Sequence, residues 1–214
     1  MRRIAGLGLL LLAVALAGTA EGWLKKSEAY LKAAPWRAEI AGEMRTPAGE
    51  RTRVAMRVYA LPSERIVRIE FLAPDSVADN FVVITPQKVL NYLFLTNQVV
   101  VYPRERARIE GLGVSLSAFG SFEEFGRRAD LRWEVAGERD GVVRLLGVPE
   151  DPEEAGFSRV ELELKADPPV PLRYRVWDLE GELLADLVWR SFARAKLKKE
   201  DLLAYPPDAE IIEK

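Results

Sequence analysis

A group of carboxylates around one glycine has the residue types and spacing closest to those of a catalytic site. Asp178, Glu180 and Glu182 surround Gly181, and two carboxylates at such spacing could act as the acid and base of a glycosidase. The same short segment has the composition of a hairpin turn, in which acidic side chains are normally solvated. We therefore predict a solvated turn here and assign no catalytic residue.

The composition excludes most other catalytic chemistry. The 214 residues include no Cys and no His, which removes disulfides, thiol nucleophiles, Cys/His zinc sites and Ser-His-Asp triads. A calcium loop requires regularly spaced oxygen ligands and a glycine bend, and the acidic cluster at 150–154 lacks both. We expect no metal, no cofactor and no enzyme activity, so binding without chemistry becomes the leading class of function.

The charge balance limits the choice of partner. The chain has 31 Lys and Arg against 33 Asp and Glu, so no basic surplus is available to neutralise the phosphates of a nucleic acid. Arg104, Arg106 and Arg108 fall on one face if the chain is extended, which fits either a solvated sheet edge or contact with a lipid phosphate or acidic partner. Few Asn and Gln residues among many charges favour a thermophilic source.

The first twenty residues read as an export signal. Arg2 and Arg3 precede an apolar run from Leu7 to Leu16, and small residues follow as far as Ala20, the order of a cleavable signal peptide. The run is shorter than the roughly 20 residues that span a bilayer as a helix. We predict a signal peptide at 1–20, cleaved near Ala20, and a single domain at 21–214 that is a monomer; an uncleaved anchor is the alternative.

The hydrophobic period changes once along the mature chain. Trp23, Leu24, Tyr30 and Leu31 recur at helical spacing and predict an amphipathic helix that ends at Pro35. From Trp36 onward the alternation has a period of two, and about eleven short strands follow at regular spacing. The fold class is therefore mainly β (α+β), an open antiparallel β-barrel with helices covering its concave face. The predicted strands are 36–45, 53–59, 65–71, 80–85, 88–95, 98–102, 130–138, 141–148, 158–165, 172–177 and 183–192.

Two segments are more apolar than is expected for strands of a sheet with one solvent-exposed face. Residues 81–84 and 89–95 are apolar on both parities, so both faces of the middle of the sheet must be covered. The cover is either a packed core or a ligand in an apolar cavity, and the pattern does not separate the two. Between 113 and 128, apolar residues spaced by three predict two short helices that meet near Gly120.

The order of these elements resembles the periplasmic outer-membrane lipoprotein carrier family, the LolA type. The segment from Val83 to Tyr92 resembles the family's strand, turn and aromatic strand, and Tyr102-Pro103 resembles the end of the next strand. The tail at 200–214, EDLLAYPPDAEIIEK, resembles the family's aromatic residue, proline-containing turn and β-branched end. The resemblance extends from the N-terminal helix to the C-terminus.

The resemblance implies a periplasmic carrier or binding protein that shelters the acyl chains of lipoproteins or lipids for outer-membrane delivery. An inner-membrane transporter and an outer-membrane receptor are the partners it implies. Family carriers have an arginine before a proline at the third strand, where this chain has Leu61-Pro62, which puts the handover step in question. The alternative is a periplasmic sensor or interaction module that binds a protein partner.

The resemblance, combined with strand parity, also gives candidate site residues. The expected lipid-binding cavity residues are Val67, Ile69, Phe71, Phe81, Val83, Leu90, Tyr92 and Phe94. The expected residues of a movable lid are Leu112, Leu116, Phe119, Phe122 and Phe125.

Overall fold

The computed structural model describes residues 18–46, 48–104 and 131–214. Most of these residues form strands, as the period-two alternation predicts. The helices are α1 (Ala20–Lys32), α2 (Pro152–Ala155) and α3 (Lys199–Leu203), with short 3₁₀ turns at Pro62–Glu64 and Phe94–Thr96. The strands are β1 (Trp36–Arg45), β2 (Arg51–Leu61), β3 (Ile66–Ala73), β4 (Phe81–Ile84), β5 (Lys88–Leu93), β6 (Gln98–Pro103), β7 (Leu131–Arg139), β8 (Val142–Pro149), β9 (Arg159–Lys165), β10 (Pro171–Trp177), β11 (Leu183–Arg194) and β12 (Glu210–Glu213).

All strands of the described residues belong to one 12-stranded sheet, in the order β12-β6-β5-β4-β3-β2-β1-β11-β10-β9-β8-β7. Neighbours are antiparallel from β6 through to β7, and strand β1 joins the two halves of the chain by pairing with both β2 and β11. Strands β12 and β7 end the order and are not paired with each other, so the sheet is open. This architecture confirms the predicted fold class.

Strand β12 is the one element of the sheet that the sequence pattern did not predict as a strand. It has four residues, pairs with β6 in parallel, and is held where the Glu210 amide donates to the Asn97 carbonyl (3.0 Å) and the Lys214 amide to the Val101 carbonyl (3.0 Å). Four residues are too few for an alternation to be recognised, and tertiary contacts determine this pairing.

The N-terminal helix was predicted and its ends have local causes. Thr19 caps α1 by accepting a hydrogen bond from the Gly22 amide (3.1 Å). The helix ends at Lys32, shortly before Pro35, whose ring disfavours helical conformation in the residue before it. Within the described residues, no helix has both the length and the apolar character needed to cross a bilayer.

Candidate binding surface

One face of the sheet is apolar across almost its whole width. Residues that pair directly across neighbouring strands lie on the same face of the sheet. From β7 to β11, one such series of successive pairs consists of Val135, Leu145, Leu162, Tyr174 and Leu187. On the other side of β1, pairing joins Ala38 to Val58, Ile69 and Val82. Leu145, Leu162 and Ile69 are all fully buried. We call this surface the apolar face.

Helix α1 packs on the apolar face but is small relative to it. Leu31 packs against the cluster around Trp36, whereas Trp23 and Leu24 pack against the cluster of β8 and β9 that contains Leu162. A 13-residue helix is about 20 Å long and about 10 Å wide, whereas the nine strands from β7 to β4, at about 4.8 Å each, extend over roughly 40 Å. Among the described helices, α1 therefore covers only part of this face.

Aromatic residues and an arginine hold the end of α1 to β11. The Arg194 guanidinium donates to the carbonyls of Ala34 (2.8 Å) and Tyr30 (2.7 Å) and lies 4.1 Å from the centre of the Tyr30 ring. Tyr30 contacts Phe192, with ring centres 6.0 Å apart, and Phe192 contacts Trp36 at 5.7 Å. A cation at the carboxyl end of a helix also complements the helix dipole. This end of α1 is therefore fixed.

Polar atoms also lie within the interface between α1 and the sheet. Ser27 is fully buried, and among the described residues neither its hydroxyl nor the indole nitrogen of Trp23 has a hydrogen-bond partner. Tyr174 packs against both clusters that α1 contacts, and burial raises the pKa of its phenol, so the hydroxyl stays neutral. These groups are hydrogen-bonding positions in an otherwise apolar surface.

The opposite face of the same strands is charged. Arg173 on β10 donates to Asp186 on β11 (2.7 Å), and this hydrogen bond holds the pKa of the Asp186 carboxyl below its ordinary value. Arg175 pairs with Glu161 and with Glu163 on β9. Cross-strand pairs of opposite charge are typical of a sheet surface in contact with water. The apolar face is therefore the inner face of this half of the sheet.

Strands β3 to β6 are covered on the outer face as well, by the C-terminal segment. A buried cluster joins Phe81, Val83, Leu90, Tyr92 and Leu202, the last from α3. We call it the outer cluster. Because both faces of the sheet are covered here, all four residues of β4 are buried. The sequence predicted this, since odd- and even-numbered residues of the segment are both apolar.

The eight predicted cavity residues do not share one face. Val67, Ile69 and Phe71 lie on the apolar face, whereas the predicted residues of β4 and β5 lie in the outer cluster. The sheet register is the cause, because Phe81 pairs with Glu70 and Val83 with Arg68. The expectation of a single lining is therefore corrected: Val67, Ile69 and Phe71 lie inside, and Phe81, Val83, Leu90 and Tyr92 lie outside.

Other residues of β4 and β5 face inward in place of those four. Val82, Ile84 and Val89 belong to the cluster of the apolar face. These residues are as apolar as their neighbours in the sequence. Only the register of strand pairing determines which residues face inward and which face outward.

Phe94 differs from the other predicted cavity residues. It begins a 3₁₀ turn beyond β5, and 51% of its side chain is exposed. The five predicted lid residues, Leu112, Leu116, Phe119, Phe122 and Phe125, lie outside the described residues. Leu61 ends β2 and is buried in the outer cluster, and Pro62 begins the next turn.

The carboxylates near Gly181 lie in a turn. The Asp178 side chain accepts hydrogen bonds from Arg45 (2.8 Å) and from the Glu182 amide (2.6 Å), and Gly181 has a positive φ of 83°. Glu180 is exposed. The part of the chain that the structure describes contains no group of three or more acidic side chains placed to hold a metal ion.

Comparison with known proteins connects this geometry to relatives. No family model and no curated protein sequence matches the chain. Among solved structures, it is similar to an uncharacterized conserved protein from Thermus thermophilus, with 32% identity, a TM-score of 0.68, and coverage of 91% of this chain and 99% of that one. It is also similar to MucB in the MucA/MucB complex of Pseudomonas aeruginosa, with 16% identity, a TM-score of 0.55, and coverage of 90% and 63%.

The solved structures also include a LolA superfamily protein, NE2245 from Nitrosomonas europaea, with 11% identity, a TM-score of 0.47, and coverage of 88% and 99%. The chain belongs to the family of the Thermus thermophilus protein.

Proposed function

We propose that the protein is an exported, periplasmic binding protein that shelters the acyl chains of lipoproteins or lipids for outer-membrane delivery. The observation that carries this proposal is the apolar face, which crosses the sheet from β7 to β4 and exceeds the area that α1 can cover. A concave apolar surface with a few hydrogen-bonding groups is typical of a small-molecule site. Acyl chains lying between this face and the helices would be removed from water.

The energetics of such burial are sufficient. Each CH₂ group removed from water contributes about 0.8 kcal/mol, so a chain of about 16 carbons offers roughly 10 kcal/mol before ordering costs. Ser27 and Trp23 add hydrogen-bonding groups that a carbonyl or ester of the cargo could contact. No bond is made or broken in this function, in line with a protein that is not an enzyme.

Export belongs to the same proposal. Residues 1–20 act as the signal peptide, and 21–214 form the mature, monomeric domain. Cleavage near Ala20 would remove the Thr19 cap of α1, and Glu21 in the first turn would then interact with the helix dipole in its place. An inner-membrane transporter and an outer-membrane receptor would supply and receive the cargo. A thermophilic source agrees with the Thermus relative.

The second candidate is a periplasmic interaction module that binds a protein partner on the same fold. It is favoured by the likeness to MucB, whose structure is that of a complex with MucA. The two candidates differ in a simple property. A carrier holds a lipid when purified from cells, whereas a module that binds a polypeptide comes out of the cell empty.

A cavity-filling variant tests the carrier function. Ala38 on β1 is 2% exposed on the apolar face between Val58 and Phe192, and Ala41, three residues along the strand, lies on the opposite face. We expect the wild type to take up a long-chain fluorescent fatty acid, A38F to lose this uptake by at least about tenfold, and A41F to retain it. A wild type that takes up no probe, or an A38F variant that binds it unchanged, would contradict the proposal.

A further inference from the structure

The turn between β5 and β6 exposes large apolar side chains. Phe94 and Leu95 belong to the 3₁₀ turn Phe94–Thr96, and their side chains are 51% and 86% exposed. Leu72, near the end of β3, is 40% exposed. Both segments bond to Asn80, which accepts from the Phe94 amide through its side chain (2.8 Å) and from the Phe71 amide through its carbonyl (2.9 Å). We call Leu72, Phe94 and Leu95 the apolar tip.

The exposure of the apolar tip is built into the turn. Asn97 adopts a left-handed conformation with φ of 50°, and its amide donates to the Phe94 carbonyl (3.2 Å). The Tyr92 hydroxyl donates to the Asn97 side chain (3.1 Å), which in turn donates to the Asp208 carboxylate (3.1 Å). These bonds hold the turn to β5 and to the C-terminal segment. The two apolar side chains are therefore presented to solvent by a fixed backbone.

The apolar tip extends the outer cluster beyond the part that the C-terminal segment covers. Tyr92 stacks on Phe81 with ring centres 4.8 Å apart, and both are buried. Leu202 of α3 belongs to this cluster and is 3% exposed, and Leu203 packs against it. Phe94 follows Tyr92 by two residues and has no such cover. A partner at the tip would extend an apolar surface that the C-terminal segment covers only in part.

In the described segments that flank the apolar tip in sequence, the charged residues are all acidic. The segments 72–80, 92–98 and 205–213 contain no Lys or Arg. Asp75 and Asp79 lie in the loop between β3 and β4, and Asp208 and Glu210 lie in the segment bonded to the turn; all four are exposed. An acidic rim repels an anionic membrane surface and attracts a basic polypeptide.

We propose that the apolar tip and its acidic rim form a docking surface for a polypeptide whose apolar residues are flanked by Lys or Arg. The surface shares no residue with the clusters of the apolar face. Docking and acyl binding would then occur on the same molecule without competing for the same residues.

The test uses the mature chain with two synthetic peptides of about ten residues and equal length, one of Leu and Lys and the other of Leu and Glu. Binding is measured by titration calorimetry and by amide chemical shifts, with L95S as the variant. The matched control is L179S, because Leu179 is also a turn residue and is 48% exposed. Cosedimentation with vesicles of neutral and anionic phospholipid tests the membrane as an alternative.

We expect the Lys peptide to shift the amides of Leu72 and of 94–97, and L95S to weaken its binding at least tenfold while L179S does not. Added salt should weaken binding, because the rim charges attract the peptide. The proposal would be overturned if the Glu peptide bound equally well or if neither peptide bound. It would also be overturned if L95S abolished binding to vesicles, or if L95S dissociated a dimer of this chain. Fatty acid uptake by L95S should stay at the wild-type level, so this result does not depend on the carrier function.

Discussion

The Arg68 guanidinium lies over the face of Phe81, 3.7 Å from the centre of the ring. The same group donates to the carbonyls of Leu202 (3.2 Å) and Ala204 (2.8 Å), at the end of α3. Arg68 therefore joins the third strand, the outer cluster and the C-terminal segment. Its side chain is 12% exposed, so these contacts are largely shielded from water.

Removing this guanidinium should release the C-terminal segment. We expect R68A to lower the free energy of unfolding by about 2 kcal/mol, because two hydrogen bonds to carbonyls, the ion pair with Glu70 and a cation–π contact are lost. R57A is the control, since the Arg57 pair with Glu39 is exposed on both sides and should contribute little to stability. Denaturant unfolding measures both, and faster hydrogen exchange at Leu202 and Leu203 in R68A would locate the effect. Equal losses in the two variants would contradict this role.

Substitution of Ser27 by alanine should raise the stability of the protein. The Ser27 hydroxyl is buried and has no hydrogen-bond partner in the part of the chain that the structure describes, so S27A removes an unsatisfied group and places a better helix former in α1. We expect the thermal midpoint to rise, with a gain of about 1 kcal/mol. The exposed substitution A29S in the same helix should lower stability slightly. A loss of stability in S27A would show that the hydroxyl is satisfied in the folded protein.

Gly42 lies where β1 and β11 approach closely. A Cβ atom built on Gly42 would lie 1.8 Å from the Asp186 carbonyl oxygen, whereas one built on Gly137 in β7 meets nothing within 4 Å. We expect G42A to cost about 3 kcal/mol, because backbone must shift to relieve the overlap. G137A should be neutral or slightly stabilising. Chemical denaturation of the two variants provides the comparison, and equal stabilities would refute the close approach.

The ion pair of Arg173 and Asp186 predicts a dependence of stability on pH. The pKa of Asp186 is lowered in the folded state, first by the hydrogen bond from Arg173 and then by the charges of Arg173 and Arg175. The stabilisation is therefore complete above the ordinary carboxyl pKa of about 4 and is lost as the pH falls through the lowered value.

The measurement compares the unfolding free energies of wild type and D186N at neutral and acidic pH. D186N should be less stable by up to about 1 kcal/mol at pH 7, a modest loss because the pair is partly solvent-exposed, and the difference should shrink as acidification protonates Asp186 in the folded protein. A difference that is constant with pH would point to a packing effect of the substitution.

The hydrophobic pattern was sufficient to predict eleven of the twelve strands and the open sheet, since most strands of this sheet carry their own period-two signal. It was not sufficient to assign faces in β4 and β5. Both parities of Phe81–Ile84 are buried, so local hydrophobicity is the same for an inward and an outward residue. The register that pairs Phe81 with Glu70 is set by long-range strand pairing, and therefore Phe81 and Val83 were placed on the wrong side.

The end of strand β5 before Phe94 is a second feature that local hydrophobicity does not predict. The apolar neighbours of Phe94 suggested that the strand extends to Leu95, yet β5 ends at Leu93 and a 3₁₀ turn follows. The turn depends on Asn80 and Asp208, which are 14 and 111 residues from their partners. Contacts of such sequence separation leave no trace in the local hydrophobic pattern.

The central claim is that the apolar face holds acyl chains, and native mass spectrometry of the protein purified from an exporting host without detergent tests it most directly. The account predicts a mature chain that carries about one equivalent of a lipid or lipopeptide, identified by mass spectrometry of an organic extract, and A38F without it. Recovery of the wild-type chain in the empty form, with no uptake of added fatty acid, would contradict the account.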